Sequence, residues 1–205
     1  MQPSSLATPL PPVFDARFRR QLEALFRWRR DVRRFRPDPL DPALVDALLA
    51  LAALSPSVGN SQPWRFVKVD DPVRRRLVRD NFEACNRAAL ADYSGDRAAL
   101  YARLKLAGLD RAPVHIAAFV DGGTGRGHGV GRRTMPETLA YSVVGAVSAL
   151  WLAARAHGVG LGWVSIIDPE RVRDILDVPT AWSLIGYLCL GFPEEEHLDP
   201  ELERF

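Results

Sequence analysis

A chain of 205 residues, 47% apolar and 25% charged, has the length and balance of a globular domain with a sizeable core; at this size ~70% of the extended surface can be buried. Disordered and fibrous chains are excluded, and two cysteines with four scattered histidines exclude a disulfide scaffold and a Cys/His metal cluster. The net charge of +2 gives no global bias toward nucleic acid, yet 25 of the 27 basic residues are arginine and nine of these precede Pro37.

Residues 1–14 are rich in Pro and Ser and read as a flexible N-terminal arm, with 15–205 as the folded domain. The arm lacks a basic start followed by an apolar run, so the chain reads as cytoplasmic. Phe18, Leu22, Leu25 and Phe26 recur at helical spacing behind a capping Asp15. Pro37, Pro39 and Pro42 interrupt, and Asp41 caps a second helix with Leu44, Val45, Leu48, Leu49 and Ala52 on one face. That helix ends near Ser55-Pro56, because proline restricts the residue before it. A polar loop, 57–63, leads into a strand over 64–69.

Residues 74–90 and 96–106 are helical in character, and 114–120 is a fully apolar strand. The glycine-rich, basic run 122–133 is neither a dinucleotide fingerprint nor a phosphate loop; it reads as a mobile surface loop, with a lid over a pocket as the functional alternative. Pro136 and Glu137 open a helix to about His157 that is apolar all round and therefore buried. Its most apolar part, 141–154, falls short of the ~20 residues that span a bilayer. A strand over 161–167, a helix over 169–176 and a strand over 184–190 follow, and the acidic C-terminal run reads as solvated. Four strands among about six helices, with two helical segments between the first two strands, indicate an α+β fold.

Two segments carry candidate chemistry. Residues 27–36 hold six arginines around Asp31. Such a run faces an anion or acidic partners, since the like charges repel. Alone it suits a solvated face as well as a site. Asp31 stays ionised amid the arginines and would weaken binding to a phosphate backbone. The loop 55–64 exposes backbone N–H groups and side-chain amides that suit a flat polar heterocycle, or it is an ordinary turn.

The order Arg29-Arg30-x-x-Arg33, followed about 25 residues later by Pro56-Ser57-x-x-Asn60-x-Gln62-Pro63-Trp64, resembles the flavin-dependent nitroreductase family. The resemblance implies an α+β nitroreductase-like fold, a small mixed sheet surrounded by helices, and an intertwined homodimer with FMN at its interface. It implies that Arg29, Arg30 and Arg33 meet the FMN phosphate and ring edge, with Val32 beside them. Pro56, Ser57, Val58, Asn60 and Gln62 then come from the other subunit. Lys105, Val164 and Ile166 are further implied cofactor contacts. Arg204 is the one C-terminal basic residue available for the phosphate.

Two departures narrow the resemblance. Asp31 stands where nitroreductases usually have serine, and 162–169 replaces their Pro-Ile-Glu-Gly-like stretch. With Lys105-Leu106-Ala107-Gly108-Leu109-Asp110 and 132–138, these closely resemble the 5,6-dimethylbenzimidazole synthase family over about residues 18–204. That implies an oxidoreductase that fragments reduced FMN with dioxygen. The products are 5,6-dimethylbenzimidazole, the lower ligand of vitamin B12, and erythrose 4-phosphate. The reduced FMN would come from an external flavin reductase, with no nucleic acid or membrane partner.

In that family the key acid–base residue matches Asp31 and the key serine matches Ser165. Ring fragmentation needs several proton transfers, which a carboxylate near the ring can carry. A hydroxyl at the end of an apolar strand can donate to a flavin nitrogen or a peroxide oxygen. Asp31 as an ion pair spacing the arginines and Ser165 as an ordinary strand serine are the structural alternatives. The competing activities are an NAD(P)H-dependent FMN nitroreductase or flavin reductase, which needs room above the ring for a nicotinamide, and a flavin- or nucleic-acid-binding module.

Overall fold

The computed structural model describes residues 11–91 and 108–200. Helix α1 (Ala16–Trp28) begins where the Asp15 carboxylate accepts the Phe18 N–H at 2.7 Å. Helix α2 (Pro42–Ala52) is capped by Asp41 with proline in its first turn. Strand β1 (Trp64–Lys68), helix α3 (Pro72–Ala91), a single turn α4 (Gly108–Arg111) and strand β2 (Val114–Asp121) follow. The long helix α5 (Thr138–Ala156), strand β3 (Gly160–Val164), helix α6 (Pro169–Leu176) and strand β4 (Trp182–Gly191) complete the described chain. The expected helix over 96–106 lies outside the described residues, as do Lys105 and Arg204.

The strands form one sheet in the order β1-β2-β4-β3, and every neighbouring pair is antiparallel. The mixed sheet expected from the resemblance is therefore antiparallel through its four strands. Its parallel component among the described residues is one bridge, Asp31 to Leu161, where the segment after α1 joins the β3 edge. Period-two alternation divides the core. Ile116, Ala118, Val120, Leu188 and Leu190 face α2 and α5, while Ala117, Phe119, Tyr187 and Cys189 face α3 and α6.

Helix α5 is long and apolar enough to cross a membrane by length and composition alone, and its packing explains why. Leu139, Val143, Ala146, Val147, Leu150 and Ala154 are buried against the sheet and α2. It is not buried all round, however: Tyr141, Val144, Gly145 and Ser148 stay exposed on the far side. Helix α1 buries no residue, and its stripe of Phe18, Leu22 and Phe26 remains 41%, 40% and 57% exposed.

The glycine-rich run does not project as a free loop. Its 3-10 turn Arg126–Gly129 packs on the 3-10 turn Val58–Asn60. A Cβ on Gly127 would lie 2.2 Å from the Gly59 carbonyl oxygen, and one on Gly59 would lie 2.6 Å from that of Val130. Both glycines have positive φ. The glycines serve close backbone approach, which composition does not distinguish from mobility.

Candidate active site

Beyond Trp28 the chain leaves helix and runs beside β3. The Val32 N–H donates to the Leu161 carbonyl at 3.0 Å, next to the Asp31–Leu161 bridge. Two glycines of β3 permit this approach. A Cβ on Gly162 would lie 2.2 Å from the Val32 carbonyl oxygen, and one on Gly160 would lie 2.7 Å from a Val32 methyl.

The Asp31 carboxylate is thereby brought to the strand: Oδ1 accepts the Trp163 N–H at 2.9 Å, and Oδ2 lies 3.6 Å from Arg33 Nε. Burial raises this carboxyl above the usual aspartate value, while the Trp163 N–H and the Arg33 and Arg29 guanidiniums offset part of the rise. Arg33 is itself 15% exposed, against 35% for Asp31, so the carboxylate keeps one open side.

Arg29, Arg30, Asp31, Val32 and Arg33 line a cavity of about 250 Å³ with Trp151, Arg155 and Leu161. Arg30 Nε is buried and has no hydrogen-bond partner among the described residues. Five guanidiniums, those of Arg29, Arg30, Arg33, Arg34 and Arg155, line this cavity against the carboxylates of Asp31, Glu195, Glu196 and Asp199; the positive surplus and the orphaned Arg30 donor suit an anion such as a phosphate monoester. The volume lies below the ~300–1,000 Å³ usual for ligand sites, so this cavity suits the phosphate end of a flavin nucleotide rather than all of it.

In its described part, 194–200, the acidic run is tied to arginines rather than solvated throughout. Glu195 pairs with Arg34, Glu196 holds Arg155 through both oxygens at 2.8 and 2.7 Å, and Arg30 donates to the Leu198 carbonyl. These acids find arginines because Arg36 N–H and Glu194 N–H tie the segment back to 34–36.

Loop 56–62 is built separately. The Ser57 hydroxyl accepts the Gln62 N–H at 3.0 Å, the Val58 N–H donates to the Ser142 hydroxyl at 3.1 Å, and the Gln62 side chain donates to Asn60 Oδ1 at 3.2 Å. Gly59, Asn60 and Gln62 have φ of 54°, 53° and 44°; asparagine tolerates that region, whereas glutamine is strained there. Ser142 precedes Trp151 by nine residues on α5, ~13 Å along the axis. Among the described residues no hydrogen bond joins this loop to the arginine segment. Within one chain the two groups stand at different levels of the central helix.

β3 ends at Val164, short of the expected 167, and Ser165 lies just past it, exposed. No hydrogen bond among the described residues engages the Ser165 hydroxyl. Val164 is buried with its side chain in the core, so it offers a ligand only its peptide groups, and Ile166 is half-buried against the same core.

Residues 26–192 match the model of the Nitroreductase family. The chain belongs to the nitroreductase family. It is 58% identical over 193 residues to the 5,6-dimethylbenzimidazole synthase of Rhodospirillum rubrum, covering 94% of this chain and 92% of that one. It is 47% identical to a 5,6-dimethylbenzimidazole synthase of Rhodobacter capsulatus, covering 93% and 92%. The structure of oxidized iodotyrosine deiodinase bound to FMN and 3-iodo-L-tyrosine superposes with a TM-score of 0.73 at 24% identity, over 86% of this chain and 91% of that one. That last likeness is one of nitroreductase fold.

In this nitroreductase-family chain the sequence alone reads Trp151 as a core residue and singles out neither Ser142 nor the β3 glycines as part of a site. Gly160-x-Gly162 directly after a helix was the available signal for close approach. For Trp151, one apolar residue in an apolar helix, no signal distinguished site from core.

Proposed function

We propose that this chain is a 5,6-dimethylbenzimidazole synthase. It takes reduced FMN and dioxygen, as a cytoplasmic homodimer supplied by a separate flavin reductase, and releases 5,6-dimethylbenzimidazole and erythrose 4-phosphate, with the remaining pyrimidine part of the ring leaving as a separate fragment. The observation that carries the reading is Asp31, a carboxylate set among cofactor-type arginines and held by the Trp163 N–H at 2.9 Å, in a chain 58% identical to a protein of that name.

When bound, reduced FMN supplies the ring to be fragmented and the electrons that reduce dioxygen. Arg29, Arg30 and Arg33 bind the phosphate dianion. Asp31, with its carboxyl raised by burial and its second oxygen beside Arg33, takes and returns protons at the ring and the ribityl chain. The Ser165 hydroxyl, unengaged at the end of β3, donates a hydrogen bond to the reacting edge.

The 56–62 loop of a second copy supplies Asn60 and Gln62 to the ring, which accounts for its separation from the arginines in one chain. The exposed stripe of α1 and the open side of α5 are the surfaces that the second copy covers.

The test mixes anaerobic protein with chemically reduced FMN, admits air and resolves products by mass spectrometry. The synthase yields 5,6-dimethylbenzimidazole with loss of flavin. Intact oxidised FMN with hydrogen peroxide overturns the reading and directs attention to nitroaromatic substrates with NADPH.

A further inference from the structure

Trp151 sits where the arginine–aspartate segment meets the central helix. An indole N–H donates and cannot accept, and here it donates to the Arg30 carbonyl at 3.0 Å. The face of the same ring lies 4.9 Å from the Arg29 guanidinium carbon. Its neighbour across the site is Trp163, with ring centroids 6.2 Å apart, and Trp163 is the residue whose peptide N–H grips Asp31. One half-buried side chain therefore touches both residues that precede Asp31 and the residue that holds its carboxylate.

On the β3 side the segment is held by the Val32 N–H to Leu161, the Asp31–Leu161 bridge and the Trp163 N–H to the Asp31 carboxylate; the Trp151 N–H adds a hold from α5. We propose that Trp151 is the positioning residue of this site: its ring presents Arg29 to the phosphate, and its N–H fixes the peptide that carries Asp31. Phenylalanine could stack on Arg29 but not donate, and leucine could do neither. The proposal rests on the flavin reading above.

The test compares wild type, Trp151→Phe and Trp151→Leu, with melting temperatures measured in parallel. FMN affinity is read by fluorescence quenching, and the fraction of reduced FMN fragmented on admission of air is read by mass spectrometry. Trp151→Phe retains FMN affinity within about threefold, yet its fragmented fraction falls ~3–10-fold, with the balance recovered as intact FMN. Trp151→Leu loses affinity as well, by ~3–10-fold.

Arg29→Lys, alone and combined with Trp151→Leu, completes a double-mutant cycle on affinity. The account predicts that the two losses are not additive. A wild-type fragmented fraction in Trp151→Phe overturns the proposal, as do additive losses in the cycle. If wild type itself returns intact FMN, the synthase reading fails, while the affinity cycle still decides whether Trp151 positions Arg29.

Discussion

In the proposed function Asp31 is the carboxylate that carries the proton transfers. Its folded pKa is raised, so the protonated form is favoured, and the stability this confers is complete in acid and is lost as pH rises through the folded value. In its ionised form the group is a net cost to the fold. Asp31→Asn is accordingly expected to melt no lower than wild type and to bind FMN within a few-fold, while product formation falls ~10²–10⁴-fold. Calorimetry and the product assay check both halves.

His115 is the opposite case. It is buried, its Nδ1 lies 3.0 Å from the Tyr187 hydroxyl, and burial, with the Arg75 charge, lowers its pKa to about 4. The stability it protects is present above the unfolded value of about 6.5 and is lost as pH falls toward 4. Urea unfolding across that window should register a loss of at most about 3 kcal/mol, and His115→Gln should flatten the slope.

At the scale of elements, glycine decides how closely backbones approach the site. Gly162→Ala would drive a methyl into the Val32 carbonyl and push the arginine segment off β3. Gly127→Ala would drive one into Gly59, beneath Asn60, at a φ of 74°. Each is expected to lower stability by about 2–4 kcal/mol and to weaken FMN binding, as denaturant melts and titration would reveal. These elements also measure what the sequence made legible. Capped helices and the four strands follow from periodicity and proline, and the segment around Asp31 from its resemblance to a family motif. The antiparallel pairing, the docking of 126–129 on 58–60 and the pairing of Glu195 and Glu196 with arginines do not. They depend on contacts between residues distant in the chain, which local pattern leaves unspecified. Trp151 was obscured for a related reason: hydrophobic periodicity gives a helix its buried side but not the use of one indole N–H.

For the whole molecule, the arginine cavity and the 56–62 loop stand at separate levels of α5, and apolar residues of α1 and α5 remain exposed. The proposed homodimer would join the two groups and cover these faces. Val144→Glu, at a position 40% exposed within one chain, should leave the fold intact but yield a monomer by analytical ultracentrifugation, with FMN affinity reduced at least ~10-fold. A variant that remains dimeric with full affinity would place the interface elsewhere.

In the proposed function Asp31 is the carboxylate that would turn a nitroreductase-type flavin site to fragmentation of the flavin itself. The most direct measurement is a single turnover of wild type and Asp31→Asn side by side, each loaded anaerobically with reduced FMN and opened to air. The account predicts 5,6-dimethylbenzimidazole from wild type, and intact oxidised FMN with hydrogen peroxide from the variant. Equal yields of 5,6-dimethylbenzimidazole from both, or none from wild type, would contradict it.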